Sequence, residues 1–355
     1  MSAAADDRTE SIRMIRDSAG AVAPRGGDTK RVRALRFASP GFDREVLAQM
    51  GELGWIGLAV PEEAGGAGLG MSEAVALAEE LGAGLLPEPL VPMMLSARLL
   101  AAVGHPELEG VLAGRRVLLT AWQERADTLA VPGTPDGARL FLPMAAGADG
   151  FLLPVHQGPG LGLHLQDAAG ADLTIEKAMD GGNIGTLRPD LGRASLVAED
   201  VGDMLAIALD EAALVTSGLM LGLMERAFAM TVDYLKTRQQ FGRIIGTFQS
   251  LQHRAADLKI HIALTRAAVE GAAAALDGGA TGAARHAAVS KAKHRAAESG
   301  MLVLRQCIQL HGGIGYTDEY DVGLFLRRGM VIMNQFGSAA LHRRRFMALA
   351  PEDVE

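Results

Sequence analysis

The strongest constraint on this chain lies in its C-terminal portion, where three long stretches carry apolar residues at helical spacing. They are Asp203 to Leu235, Leu251 to Leu276 and the Ala-rich run Gly282 to Leu310. Helices this long and this rich in alanine bury their apolar faces against one another, and small residues let the backbones approach, so a bundle is expected. Ser217, Gly218 and Gly222 are expected to face a close neighbour. Met220, Met224 and Met230 are expected to fill the core as flexible apolar side chains. Composition agrees: aromatic residues make up 4% of the chain and glycine numbers 44, which suits close contact through small residues.

The first stretch, to residue 112, also reads as helical, with Ser11 to Arg16, Arg31 to Leu35 and Arg44 to Met50 as candidate segments. Leu53 to Gly70 contains Pro61 and six glycines and reads as a turn-rich loop. Trp55, within it, is expected to pack in the core between domains. Ser72 is the expected cap of the next helix, which places Ala74, Val75, Leu77, Ala78 and Leu81 on one face. Gly82 and Gly84 are expected to end that helix, and Pro87 and Pro89 to stiffen the connection after it. From 113 to 200 the pattern changes to short β-rich runs, Arg116 to Ala121, Phe151 to Val155 and Leu161 to Leu165, separated by Gly, Pro and Asp. The expected fold class is α+β, mostly α. It has an N-terminal helical domain over 1–112, a small antiparallel β domain over 113–200 and a C-terminal helical bundle over 201–355.

Composition narrows the function. Of 355 residues, 49% are hydrophobic and 21% charged, an ordinary globular balance. The net charge of −8 argues against a general nucleic-acid-binding role. A single cysteine, Cys307, offers no internal disulfide and reads as a buried small hydrophobe in a reducing compartment. Gly, Arg or Glu interrupts every apolar run before the ~18 residues a bilayer span requires. The acidic N-terminus does not read as a signal peptide. A cytoplasmic protein that neither spans a membrane nor binds nucleic acid is the expectation. His253, His261 and His294 fall in separate helical stretches without paired spacing, so no metal is implied.

Two segments carry recognisable chemistry. In Tyr234-Leu-Lys-Thr-Arg-Gln-Gln-Phe-Gly-Arg-Ile-Ile-Gly-Thr-Phe-Gln249 a helix breaks at Gly242, presents Arg238 and Arg243, and resumes after Thr247, a candidate cap. Arginine beside exposed backbone N–H groups holds a diphosphate through charge-assisted hydrogen bonds. In Gln309-Leu-His-Gly-Gly-Ile-Gly-Tyr-Thr-Asp-Glu-Tyr320, Gly312, Gly313 and Gly315 end a helix and admit a ligand close to the backbone. Each segment alone also fits an ordinary helix-end turn.

Taken in order, and with Leu53-Gly-Trp-Ile-Gly-Leu-Ala-Val-Pro-Glu-Glu63 and Gly65-Gly66 upstream, they resemble the acyl-CoA dehydrogenase family over nearly the whole chain. The resemblance implies an N-terminal helical domain, a middle β domain and a C-terminal four-helix bundle, assembled as a tetramer that binds FAD. It implies removal of the α-proton and a β-hydride from an acyl-CoA thioester. Arg238 with the pair Phe248 and Gln249 is similar to the family's grip on the FAD diphosphate and adenosine. Gln309, Gly312 and Gly313 are similar to its second adenosine-side contact, and Ser338 is a further cofactor-side candidate. In the family these groups reach FAD seated in a neighbouring subunit.

The resemblance fails at the catalytic base. A positioned carboxylate must take the α-proton, and the family usually supplies a glutamate in a Tyr-Glu-Gly-Thr segment. The matching run here, Gln335-Phe-Gly-Ser338, places Phe336 at that position. A minority of the family takes the base from the first helix of the C-terminal domain; Ala212 matches that position, and a one-residue shift would make it Glu211. One residue turns a helix by about 100°, so Glu211 also reads as a solvated first-turn acid favoured by the helix dipole.

The middle domain departs further from the family's flavin-ring and thioester segments: Leu119-Thr-Ala-Trp-Gln-Glu124 stands at the first, and Arg139-Leu-Phe-Leu-Pro143 where the second would be. This pattern resembles the shorter subunit of heterotetrameric acyl-CoA dehydrogenases of bacterial steroid side-chain breakdown, whose homologous partner supplies base and ring pocket. A self-sufficient homotetramer using Glu211, and a flavin monooxygenase or nitroalkane oxidase on the same fold, are the alternatives. His342-Arg-Arg-Arg345 reads as a solvated helix end, with a CoA phosphate or a partner's acids as its other reading.

Overall fold

The computed structural model describes residues 3–349. Six helices open the chain: α1 (Ala3–Val22), α2 (Lys30–Leu35), α3 (Arg44–Glu52), α4 (Met71–Ala83), α5 (Leu90–Ala102) and α6 (Glu107–Leu112). Seven strands follow: β1 (Leu118–Thr120), β2 (Arg139–Pro143), β3 (Gly150–Gln157), β4 (Gly160–Asp167), β5 (Asp172–Lys177), β6 (Asn183–Arg188) and β7 (Ala194–Ala198). The chain then forms α7 (Gly202–Thr237), a short hairpin of β8 (Gln239–Gln240) and β9 (Arg243–Ile244), α8 (Gln249–Asp277), α9 (Gly282–His311), α10 (Val322–Ile332) and α11 (Ala339–Leu349). The α, β, α order matches the sequence expectation. The chain divides into two compact units, neither continuous in sequence.

One unit holds α1, α4 and the chain from Leu214 onward. Its helices meet through small residues, as the glycines of α7 foreshadow. A Cβ on Gly222 would lie 1.9 Å from the Glu79 carbonyl oxygen, one on Gly218 would lie 2.9 Å from that of Val75, and one on Gly82 would lie 2.2 Å from that of Leu219. The close neighbour of α7 is therefore α4. Gly82 serves this contact inside α4 rather than ending the helix. Met220, Met224 and Met230 are buried here, as expected. An 18-residue window of α7 is apolar enough to cross a membrane, but 72% of it is buried inside the protein.

The N-terminus of α4 is capped from a distance. The Asp277 carboxylate at the end of α8 accepts from the backbone N–H of Met71 at 2.6 Å, from that of Ser72 at 3.1 Å and from the Ser72 hydroxyl at 2.6 Å. Ser72 is thus a first-turn residue held by the cap, not the cap itself, and a negative charge there suits the helix dipole.

The far half of α4 carries the buried acids Glu79 and Glu80. Arg16 donates to both, at 2.8 and 2.7 Å, and Arg25 binds both as well. Arg266 on α8 makes a two-pronged contact with Glu79 at 2.6 and 3.0 Å. Burial pushes the Glu79 carboxyl up, but the hydrogen bonds from Arg266 and Arg16 outweigh it and hold it down at about 2. Ion pairs of this kind tie α1, α4 and α8 together, and removing one partner leaves buried charge uncompensated.

The other unit spans Lys30–Gly70 and Pro87–Ala213. It contains one sheet in the order β1-β3-β4-β7 and another in the order β2-β6-β5. β3 and β4 form a regular antiparallel hairpin from Gly150↔Asp167 to Gln157↔Gly160. β1 instead runs parallel to β3, with Leu118 opposite Gly150, so the β region is mixed rather than purely antiparallel. Trp55 is fully buried within this unit. Arg139 is also fully buried; it pairs with Glu124 at 2.9 Å and donates to the carbonyls of Gly137, Thr134 and Pro154. Burial lowers its affinity for the proton, yet the Glu124 carboxylate and the three carbonyls engage its terminal nitrogens, leaving only Nε without a partner among the described residues.

Two outcomes are expected. Gly222→Ala places a methyl group against the α4 backbone and should cost about 1–3 kcal/mol of overpacking, read as a lowered Tm. Glu79→Gln should cost about 3 kcal/mol at pH 7 in urea unfolding, the lower end for a broken buried pair. Because the folded-state carboxyl lies at about 2, below its ordinary 4.5, this stabilisation is complete above 4.5. The gap between wild type and variant should close as pH falls from there toward 2.

Candidate functional site

The candidate site is built at the ends of α7 and α9. The α7 helix stops at Thr237, whose hydroxyl donates to the carbonyls of Asp233 and Tyr234. The Arg238 N–H still reaches the Tyr234 carbonyl at 2.9 Å, so Arg238 is fixed to the last helical turn. The chain reverses at Phe241 and Gly242, with φ of 53° and 76°, and β8 pairs with β9 through Gln239↔Ile244 and Gln240↔Arg243. The Ile245 N–H then closes back on the Arg238 carbonyl at 2.8 Å. The Arg243 guanidinium lies 4.0 Å from the centre of the Phe248 ring, a cation–π contact that steadies the entry to α8. Thr247 does not cap α8: its hydroxyl donates to the Ile244 carbonyl, and Phe248 occupies the cap position without a side-chain bond.

At the end of α9, Gly312 adopts φ 63° and ψ −141° and its N–H returns to the Gln309 carbonyl. That conformation is open to glycine and strained for other residues. A Cβ on Gly312 or Gly313 would meet nothing, whereas one on Gly315 would strike the Ile308 carbonyl oxygen at 2.7 Å. The first two glycines therefore present open backbone, and the third serves packing. His311, 2% exposed, packs against the rings of Tyr234 and Tyr320 at 4.7 and 4.9 Å, and the two tyrosine rings meet each other at 6.2 Å, so the three form a triangular cluster. The stack brings the Arg238 turn and the Gly312-Gly313 turn to the same end of one unit.

Around these turns Arg238, Gln249 and Gln309 are exposed, and none donates a side-chain hydrogen bond or ion pair to another described residue. A guanidinium, two amides and open glycine backbone, all directed outward, fit the diphosphate and adenosine side of a dinucleotide held outside this chain.

The remaining candidates lie elsewhere. The Ser338 hydroxyl accepts from the Leu341 N–H at 3.1 Å and caps α11. The adjacent Ala339 carbonyl meets His294 at 3.0 Å, which lies about 25 Å along α9 from His311 at the helical rise. Ser338 is thus not brought together with the glycine turn in one protomer. Phe336 is buried, with φ 56°, and its carbonyl accepts from His342 Nε2 at 2.8 Å. Glu211 belongs to the other unit, well inside α7. Arg98 of α5 grips it from two nitrogens at 2.8 and 3.3 Å, and its side chain is 13% exposed. It is not the solvated first-turn acid expected from the sequence.

His342 also corrects the sequence reading of a solvated helix end. It is fully buried, with Nδ1 3.2 Å from the Ser290 hydroxyl; only Arg343 and Arg344 of that run are exposed. Sequence reasoning missed its neighbour Lys293, buried on α9, which donates to the carbonyls of Ile332 and Met333 at 3.4 and 3.0 Å. Burial pushes this ammonium down to about 7. A lysine in an Ala-rich helix carries no local signal of burial. Cys307 is buried as expected, and burial pushes its thiol up to about 12.

Comparison with known proteins gives the same picture. Residues 203–348 match the model of the acyl-CoA dehydrogenase C-terminal domain, and residues 9–110 that of the N-terminal domain. The chain is 31% identical over 323 residues to the acyl-CoA dehydrogenase IpdE2 of Mycobacterium tuberculosis, covering 90% of this chain and 91% of that one. Among solved structures it is similar to a variant of the Tcur3481-Tcur3483 steroid ACAD, with TM-score 0.84 and 30% identity over 97% of this chain and 98% of that one. It is also similar to a chain of the ChsE4-ChsE5 complex from Mycobacterium tuberculosis, with TM-score 0.82 and 25% identity over 100% and 99% of the two chains. With both terminal domain models matched and the α, β, α order they require present, the chain belongs to the acyl-CoA dehydrogenase family.

Proposed function

We propose that this chain is the degenerate subunit of a hetero-oligomeric, FAD-dependent acyl-CoA dehydrogenase, and that a homologous partner supplies the catalytic base and the flavin-ring pocket. One contrast carries the reading. The surface of Arg238, Gln249, Gln309, Gly312 and Gly313 is open and its donors are unengaged, while both candidate base positions are disabled. Phe336 offers no proton acceptor. The Glu211 carboxylate is taken up by the two-pronged Arg98 contact, so both of its oxygens are already engaged.

FAD, when bound, supplies the hydride acceptor for α,β-dehydrogenation of the acyl-CoA thioester. On this reading Arg238 meets its diphosphate, Phe248 and Gln249 flank its adenosine side, and Gln309 with the open backbone of Gly312 and Gly313 forms the second adenosine-side contact. These residues bind and orient; they move no proton. The similarity to a steroid ACAD suggests a sterol-derived acyl-CoA as substrate class. The ChsE4-ChsE5 complex suggests the unlike-subunit arrangement. A wide thioester would find room where the degenerate subunit leaves its own acyl pocket unused.

The visible absorbance spectrum tests the reading, taken on the lone chain and on the chain co-expressed with its gene neighbour. A colourless lone chain and a yellow complex are expected; a yellow lone chain bleached by an acyl-CoA would overturn it. Within the complex, Arg238→Ala should weaken FAD binding about tenfold to a hundredfold, the worth of a hydrogen bond to a charged group. Glu211→Gln should leave turnover within about twofold of wild type, on the scale of RT, and its loss would point to a self-sufficient site instead.

A further inference from the structure

The stacked rings of Tyr234, His311 and Tyr320 have no part in the contacts assigned above, yet they join the two turns that make them. His311 is the last residue of α9 and the one immediately before Gly312. Its Nδ1 lies 2.7 Å from the Cys307 carbonyl oxygen, which can only accept, so Nδ1 carries the proton. Nε2 is then a lone-pair acceptor, buried and without a partner among the described residues. Burial also lowers the proton affinity of the ring, in keeping with a neutral imidazole. A buried polar atom left unpaired marks a residue retained for something other than local hydrogen bonding.

The geometry supplies that purpose. Tyr234 precedes Arg238 by one helical turn, and the Arg238 N–H is bonded to the Tyr234 carbonyl, so the guanidinium's base moves with the Tyr234 backbone. The His311 ring lies 4.7 Å from Tyr234, tilted by 31°, and 4.9 Å from Tyr320, tilted by 44°. Tyr320 leads into α10, so α7, α9 and the start of α10 all converge on this one ring. Rotation of the imidazole is blocked by the Nδ1–H bond to its own helix.

We infer that His311 is a positioning residue, setting the spacing between Arg238 and the Gly312-Gly313 turn so that both meet one dinucleotide. The inference rests on the reading that this surface contacts FAD. His311 touches neither cofactor nor substrate; it acts through Tyr234 on one side and through Gly312 on the other.

The test measures FAD dissociation from the co-expressed complex by recovery of flavin fluorescence. His311→Ala should weaken FAD binding about tenfold. His311→Phe keeps a flat ring in the stack and removes the unpaired acceptor, so it should restore binding to within about twofold of wild type. In an Arg238→Ala background, His311→Ala should add little, because the residue it positions is gone; full additivity would overturn the inference. If His311→Ala does not assemble, Tyr320→Leu removes another ring of the same cluster, and unchanged FAD binding in that variant overturns it equally. Weakened binding in Arg238→Ala with no effect at His311 defeats this inference alone. FAD binding untouched by Arg238→Ala defeats the reading beneath it.

Discussion

The unit that carries the candidate site depends on backbone-to-backbone contact between α4 and α7. Gly82, Gly218 and Gly222 let the two helices approach until a single added methyl group would overlap a carbonyl oxygen. At that distance the side chains of Glu79 and Glu80 have no route to solvent on the α7 side, and arginines from α1, the segment after it and α8 come to them instead. Packing and electrostatics are one arrangement here: the glycines create the burial, and the burial makes the guanidinium partners obligatory. The same contact fixes the middle of α7, which runs on to Thr237, one residue before Arg238.

On the proposed reading, the candidate site is half of a site by its chemistry. Donors directed at an anion need to be free, and Arg238, Gln249 and Gln309 are exposed, with no side-chain partner among the described residues. A base needs a carboxylate with a free oxygen to face a substrate, and the nearest candidate by sequence, Glu211, is bound by Arg98 through both oxygens. Phe336, where the resemblance led to the expectation of a glutamate, is a buried phenylalanine in a turn whose carbonyls are held by side chains. Lys293 holds those of Ile332 and Met333, and His342 holds that of Phe336.

Much of this was legible in the sequence because it is local. Helical spacing marked α7, α8 and α9 nearly to their ends, since a long apolar period needs no tertiary partner to be read. The order Arg238-Gln-Gln-Phe-Gly and Gln309-Leu-His-Gly-Gly pointed to the open turns, because glycine at Gly312 reports a backbone requirement directly. Serine caps misled: Ser72 and Thr247 have the right chemistry at helix starts, but Asp277 arrives from 205 residues away to cap α4, and Thr247 bonds backward.

By itself, then, the sequence determined the α, β, α order, the small-residue face of α7 and the absence of a glutamate at Phe336, because each is written in residue type and period. Only the tertiary structure decided that α1 and α4 join the C-terminal helices, that β1 runs parallel to β3, that Glu211 is clamped and that Lys293, His342 and Arg139 are buried. Charged side chains carry no local mark of burial; whether they meet water or a carbonyl depends on which distant segment packs against them. The stack of Tyr234, His311 and Tyr320 belongs to the same class, since three rings from three segments become one structural element only when the helix ends converge.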